Sequence, residues 1–98
     1  MPQIKLSTRA QADIFRLYKF LLSRDELSAK RAVTVIKASF NPLRKAPLIG
    51  RLVEENLTLR ELVIPFGSSG YIALYRFDEY LDVVTILTIK HQKESDYK

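Results

Sequence analysis

The stretch from Tyr71 to His91 constrains the fold more than any other. It reads Tyr71-Ile72-Ala73-Leu74-Tyr75-Arg76-Phe77, breaks at Asp78-Glu79-Tyr80, and resumes as Asp82-Val83-Val84-Thr85-Ile86-Leu87-Thr88-Ile89-Lys90-His91. Two runs rich in β-branched and aromatic residues, separated by a short polar break, predict an antiparallel hairpin. A polar tail, Gln92 to Lys98, follows, and it predicts a turn or a short helix. The chain's one histidine, His91, sits where the second run stops, beside Lys90, Lys93 and Glu94.

Upstream the period changes. Gln3-Ile4-Lys5-Leu6-Ser7 alternates and predicts a short first strand. Thr8-Arg9-Ala10-Gln11 fits a capping box, with Thr8 as the cap and Gln11 reaching back. Ala10, Ile14, Leu17, Tyr18, Leu21 and Leu22 then recur at three- and four-residue steps, one stripe of an amphipathic helix. Phe20 lies off that stripe, either as a partner contact or as a scattered surface apolar residue. Asp25-Glu26-Leu27-Ser28 offers cap residues for a second helix, striped by Ala29, Ala32, Val33, Ile36, Phe40 and Leu43. Pro42 should end or kink that helix. Two helices with one apolar stripe each form an antiparallel hairpin that a sheet must cover.

Ala46 to Thr58 is irregular, and its Leu48, Ile49, Leu52 and Val53 are expected to tuck under the core. Leu59 to Ile64 reads as a strand closed by Pro65, and Gly67-Ser68-Ser69-Gly70 as a turn. The expected order is β-α-α-β-β-β: an α+β domain spanning 1–98, with a two-helix hairpin packed on a small, mostly antiparallel sheet.

With 47% hydrophobic residues, 98 positions support one modest core. The chain has no cysteine, so disulfides and thiolate chemistry are excluded, and a lone histidine gives no recognisable metal set. Neither cofactor nor metal is therefore expected. The N-terminus lacks a signal peptide's apolar stretch, and no run approaches the roughly 18 apolar residues of a bilayer span. The expected location is the cytoplasm. Residues 1–49 hold ten Lys/Arg against three Asp/Glu, a balance of +7, whereas residues 50–98 hold six against eight, a balance of −2. A basic first half favours a polyanionic partner, nucleic acid or an acidic protein segment, but is equally the solvated face of a soluble helix pair.

Three runs together resemble a known family: Arg60-Glu61-Leu62-Val63-Ile64-Pro65-Phe66-Gly67, Ser69-Gly70-Tyr71-Ile72-Ala73-Leu74-Tyr75-Arg76, and Ile86-Leu87-Thr88-Ile89-Lys90-His91-Gln92-Lys93-Glu94. Their order and spacing are similar to the ParE branch of the RelE/ParE toxins. The chain departs from that family at Lys93, where arginine is usual, and at Asp96, where glycine is favoured before the closing tyrosine.

The resemblance implies a toxin of a type II toxin–antitoxin pair, held by an antitoxin that is disordered alone and folds upon it. Phe20, Lys30, Arg31 and Lys37 are the candidates for contact with that antitoxin. For the target, the superfamily offers two modes. RelE-like members cleave messenger RNA on the ribosome, for which Arg60 and Arg76 would clamp phosphate, His91 would serve as acid or base, and Tyr97 would stack or donate a proton. ParE-like members bind and poison DNA gyrase without bond-breaking chemistry of their own. Arg60, Arg76, His91, Lys93 and Tyr97 are then target-binding candidates. Each has a plainer role as well: Arg60 in a cross-strand ion pair beside Glu61, Arg76 against Asp78, Glu79 or a ring, His91 as a strand-end hydrogen bonder. A sheet half with balance −2 lacks the cation density that phosphodiester cleavage calls for. Together with the closer similarity to the ParE branch, this makes a gyrase poison the expectation that the resemblance implies, with ribosome-dependent RNA cleavage as the alternative.

Overall fold

The computed structural model describes residues 1–93. Strand β1 (Gln3–Leu6) leads into helix α1 (Thr8–Leu22), then α2 (Glu26–Ala38) and a single 3₁₀ turn (Asn41–Arg44). Four strands follow: β2 (Arg51–Val53), β3 (Asn56–Phe66), β4 (Ser69–Asp78) and β5 (Val83–His91). They form one sheet in the order β1-β5-β4-β3-β2, with β1 parallel to β5 and every other neighbour antiparallel. The expected α+β arrangement is therefore present, with one strand more than the sequence suggested. The Gln92–Lys98 tail, expected as a turn or helix, lies outside the described residues from 94 onward.

The cap of α1 is Ser7 rather than Thr8: its side chain accepts from the Ala10 amide at 3.0 Å. Ser7 keeps the extended geometry of β1, which puts its hydroxyl one residue ahead of the predicted box. Gln11 reaches back as expected, but to the Leu6 carbonyl, at 3.1 Å. Asp25 caps α2, accepting from the Leu27 and Ser28 amides. The second helix ends at Ala38, and Pro42 sits in the 3₁₀ turn, so Phe40 and Leu43 enter the core from beyond the helix.

Both stripes pack on the inner face of the sheet. Ile36, Leu43, Ile64, Tyr75, Val84, Ile86 and Ile89 are fully buried there, each contributing roughly 1.5–3 kcal/mol of burial on area grounds. Leu22 was expected on the α1 stripe but is exposed, lying at the end of the helix.

Strand β1 is short and stops at Leu6, opposite Ile86, which leaves the outer edge of β5 open beyond that point. Helix α1 closes it with side chains. Ser7 donates to the Leu87 carbonyl at 2.8 Å, Asp13 accepts from the Ile89 amide at 2.9 Å, and Arg16 donates to the Ile89 carbonyl at 3.3 Å. Ladder groups that a neighbouring strand would satisfy are thus satisfied by a helix.

Three expectations for the middle of the chain need correction. Part of the irregular stretch is the edge strand β2, too short to carry a period. Pro65 does not end β3, which runs on to Phe66; β2 reaches only as far as Glu61, so Pro65 lies on an edge, where its missing N–H is tolerated. Leu48, Ile49 and Leu52 are not tucked in but more than half exposed; Leu52 lies on the short edge strand β2, and the loop that carries Leu48 and Ile49 is held by its backbone, as described below. The β3–β4 connection is the two residues Gly67 and Ser68, with Gly67 at φ 62°.

Candidate functional site

The two arginines singled out by sequence lie on opposite faces of the sheet. Arg60 stands opposite Tyr75, which is fully buried beneath the helices, so Arg60 is on the inner face. Arg76, next along β4, projects from the outer face opposite Thr85 and is exposed. The same alternation separates Lys90, opposite Ile72, from His91, opposite Tyr71. Arg60, Arg76, Lys90 and His91 therefore do not converge in one cradle.

Arg60 is held in a structural role. Its Nη1 donates to the Leu48 and Gly50 carbonyls, both at 2.9 Å. Glu61, next along β3, faces the other way and meets Arg51 at 3.6 Å. Tyr75 holds the same loop: its hydroxyl donates to the Pro47 carbonyl and accepts from the Gly50 amide, each at 2.8 Å. Burial pushes the Tyr75 phenol above its ordinary pKa, against a smaller opposing effect of the Gly50 amide and of Arg60.

His91 is oriented at both nitrogens. Nδ1 accepts from the Lys93 amide at 3.1 Å, which places the ring proton on Nε2, 3.0 Å from the Ser69 hydroxyl. The ring meets Tyr71 edge-on at 5.6 Å, and Tyr71 in turn leans on Phe66 at 5.9 Å. His91 and Lys93 line a groove of about 680 Å³ between the C-terminal half of α1 and the β3–β4 turn. Phe20 lines it too, half-exposed, with the Arg24 guanidinium 4.6 Å from its ring centroid.

The antitoxin candidates are therefore divided. Phe20 belongs to this groove, whereas Lys30 borders a smaller, more open one between the two helices, beside Phe15, Tyr18 and Val33. Arg31 and Lys37 are exposed on α2. Tyr97 lies outside the described residues. Among the described residues no cluster of His, Cys, Asp or Glu is suited to a metal ion, and no helix is long and apolar enough to cross a membrane.

Sequence reasoning missed Asp13, Arg16 and Arg24. Asp13 is buried, accepts from the Thr88 hydroxyl and the Ile89 amide, and has Arg9 and Arg16 within 3.5 and 3.6 Å. Its signal was a carboxylate between Ala10, Ile14 and Leu17, inside an apolar stripe. Arg24 follows the end of the α1 stripe, and nothing local marks it as facing a groove.

Comparison with known proteins gives consistent results. The family described as ParE toxin of type II toxin–antitoxin system, parDE, matches residues 4–96. The chain is 35% identical over 94 residues to "Toxin RelE3" of Caulobacter vibrioides, covering 96% of this chain and 98% of that protein. It is 40% identical over 73 residues to "Toxin RelE1" of the same organism, covering 74% and 76%. In solved structures the fold recurs in a chromosomal ParDE system from P. aeruginosa, with TM-score 0.77, 22% identity and 93% and 96% coverage. It recurs also in the isolated E. coli RelE toxin, with TM-score 0.67, 14% identity and 98% and 89% coverage. The breadth of the family match and the identity to RelE3 place the chain: it belongs to the ParE toxin family of type II toxin–antitoxin systems, within the RelE/ParE superfamily.

Proposed function

We propose that this toxin acts by binding and poisoning DNA gyrase, and that it is neutralised by a cognate antitoxin folding upon it. The observation that carries the target is the division of Arg60 and Arg76 between the two faces of the sheet. A phosphate in flight between two oxygens needs cations converging on one point. Here one guanidinium is committed to the Leu48 and Gly50 carbonyls, and the other stands across the sheet from it. The antitoxin partner is supported by solved structures of the same fold, among them a chromosomal ParDE system and two RelBE toxin–antitoxin complexes. The basic first half and exposed apolar residues of α1 suit an acidic amphipathic segment. The chain operates in the cytoplasm on this reading, where both gyrase and an antitoxin are met, and functions as one domain over residues 1–98.

The alternative, ribosome-dependent cleavage of messenger RNA, draws on the RelE names of the two similar toxins and on His91, which faces an open groove with Lys93. Expression of the chain alone should arrest growth, and the purified protein should block gyrase supercoiling. Arrest with supercoiling untouched, accompanied by cut messages on translating ribosomes, overturns the gyrase reading in favour of RNA cleavage.

A further inference from the structure

The hairpin of β4 and β5 ends in the run Asp78-Glu79-Tyr80-Leu81-Asp82. Glycine and small polar residues serve a tight turn best, yet the two central positions of the connection 79–82 hold Tyr80 and Leu81. Tyr80 is fully exposed, more so than any other large hydrophobic side chain among the described residues, and Leu81 is 72% exposed. Neither belongs to the core or packs against it. Single surface apolar residues need no explanation, but an adjacent pair at the apex of a convex tip adds little to the fold.

The tip is nonetheless held in one shape. The Leu81 amide donates to Asp78 Oδ1 at 3.0 Å, and the Asp82 carbonyl accepts from the Gln3 amide at 3.0 Å. Asp82 itself takes φ 53°, a left-handed backbone that costs a non-glycine residue energy and is kept where function repays it. Two apolar side chains are thus presented to water on a braced loop, which lowers the ordering cost of binding. Three carboxylates, Asp78, Glu79 and Asp82, surround them in a chain of net charge +5. The Met1 amino group, 4.0 Å from Asp82, offsets part of that charge; Glu79 is exposed.

Carboxylates at this density repel a phosphodiester backbone and suit a protein surface that is basic around an apolar notch. Tyrosine is among the residue types that dominate such contacts. Tyr71 pairs with His91 at one end of the hairpin and Asp78 with Val83 at the other. At about 3.3 Å per residue these pairs stand roughly 23 Å apart. The tip is therefore remote from the groove beside His91.

We propose that the β4–β5 tip is the surface by which this toxin grips its protein target. Tyr80 and Leu81 are the apolar anchors, and Glu79 pairs with cations of a basic surface around them. Naming gyrase as that target rests on the reading given under Proposed function; the chemistry of the tip stands separately.

The test uses the full chain and purified gyrase, and reads the concentration of chain that halves supercoiling. Tyr80→Ser/Leu81→Ser replaces two exposed side chains, should leave the thermal unfolding midpoint in place, and should raise that concentration about tenfold or more. Glu79→Lys should raise it severalfold, by a factor that shrinks as salt rises. Leu27→Ser, an exposed apolar site on α2, should leave it unchanged. The same variants expressed in cells at matched levels separate the surface from the target. Growth arrest lost in Tyr80→Ser/Leu81→Ser, with supercoiling untouched by the unaltered chain, removes gyrase and keeps the tip as the contact with another basic protein. Supercoiling blocked equally by the unaltered chain and the tip variant, or arrest undiminished in that variant, overturns the tip and leaves the gyrase reading to the unaltered chain's own result. Stronger inhibition by Glu79→Lys marks the partner surface as acidic and overturns the proposal as well. An unaltered chain that arrests no growth overturns both.

Discussion

Arg60 and Tyr75 face each other across the β3–β4 ladder, and both side chains end on the same short loop. The guanidinium takes the Leu48 and Gly50 carbonyls, and the phenol takes the Pro47 carbonyl and the Gly50 amide. This clasp explains why Leu48 and Ile49 point to solvent: the loop's backbone is turned inward to meet two buried or half-buried polar tips. It also gives one of the two candidate arginines a structural task.

Tyr75→Phe should therefore destabilise the protein by about 2 kcal/mol, since the buried Gly50 N–H loses its acceptor and the Pro47 carbonyl its donor. Arg76→Ala, on an exposed outer-face residue, should stay within about 0.5 kcal/mol of the parent. Urea denaturation of the two variants side by side checks the contrast.

Asp13 is the corresponding tie between α1 and β5. Asp13→Ala leaves the Thr88 hydroxyl and Ile89 amide without an acceptor and removes the counter-charge of Arg9 and Arg16. A loss of about 3 kcal/mol or more is expected, with Asp13→Asn, which keeps one acceptor oxygen, less damaging. Hydrogen exchange at the Ile89 amide should accelerate in both, because the open edge of β5 loses its surrogate partner.

The N-cap of α2 should be pH-sensitive. The Ser28 hydroxyl, chiefly, and then the Leu27 and Ser28 amides and the Arg31 charge, hold the Asp25 carboxyl below its ordinary value of 3.8, against the opposing effect of burial. A folded pKa lower than the unfolded one means the contribution is present above 3.8 and lost as pH falls through the lower native value. Asp25→Asn should remove that acid-side dependence, visible as a flatter stability curve between neutral pH and the acid limb.

Two glycines separate crowding from backbone strain. A Cβ at Gly50 would stand 2.7 Å from the Tyr75 ring and 2.8 Å from the Glu61 carbonyl, whereas one at Gly67 meets nothing within 4 Å and suffers only from φ 62°. Gly67→Ala should cost about 1 kcal/mol, and Gly50→Ala about 2–3 kcal/mol, as thermal unfolding would show.

The fold was legible in the sequence where a period ran long enough to be read. The α1 and α2 stripes and the β4 and β5 runs are each nine residues or more, and all four elements formed where expected. Strand β2, at three residues, has no period to detect, and its exposed Leu52 gave the wrong impression of a buried segment. The site was less legible for a different reason. Sequence places Arg60 and Arg76 on neighbouring strands, but only register shows that Tyr75 is Arg60's partner, which puts Arg76 on the opposite face. A one-residue change in pairing would have brought the two together. The groove at His91 joins residues as far apart as Arg24, Phe66 and Lys93, a meeting that no local pattern announces.

On the proposed reading this toxin stalls gyrase and does not cut RNA, and the most direct measurement is the fate of supercoiled plasmid incubated with gyrase, ATP and the purified chain. The account predicts linearised plasmid on denaturing the enzyme, in amounts that rise with toxin and are unaffected by His91→Ala. Plasmid processed normally, with messages cut on translating ribosomes and the cutting abolished by His91→Ala, would contradict it.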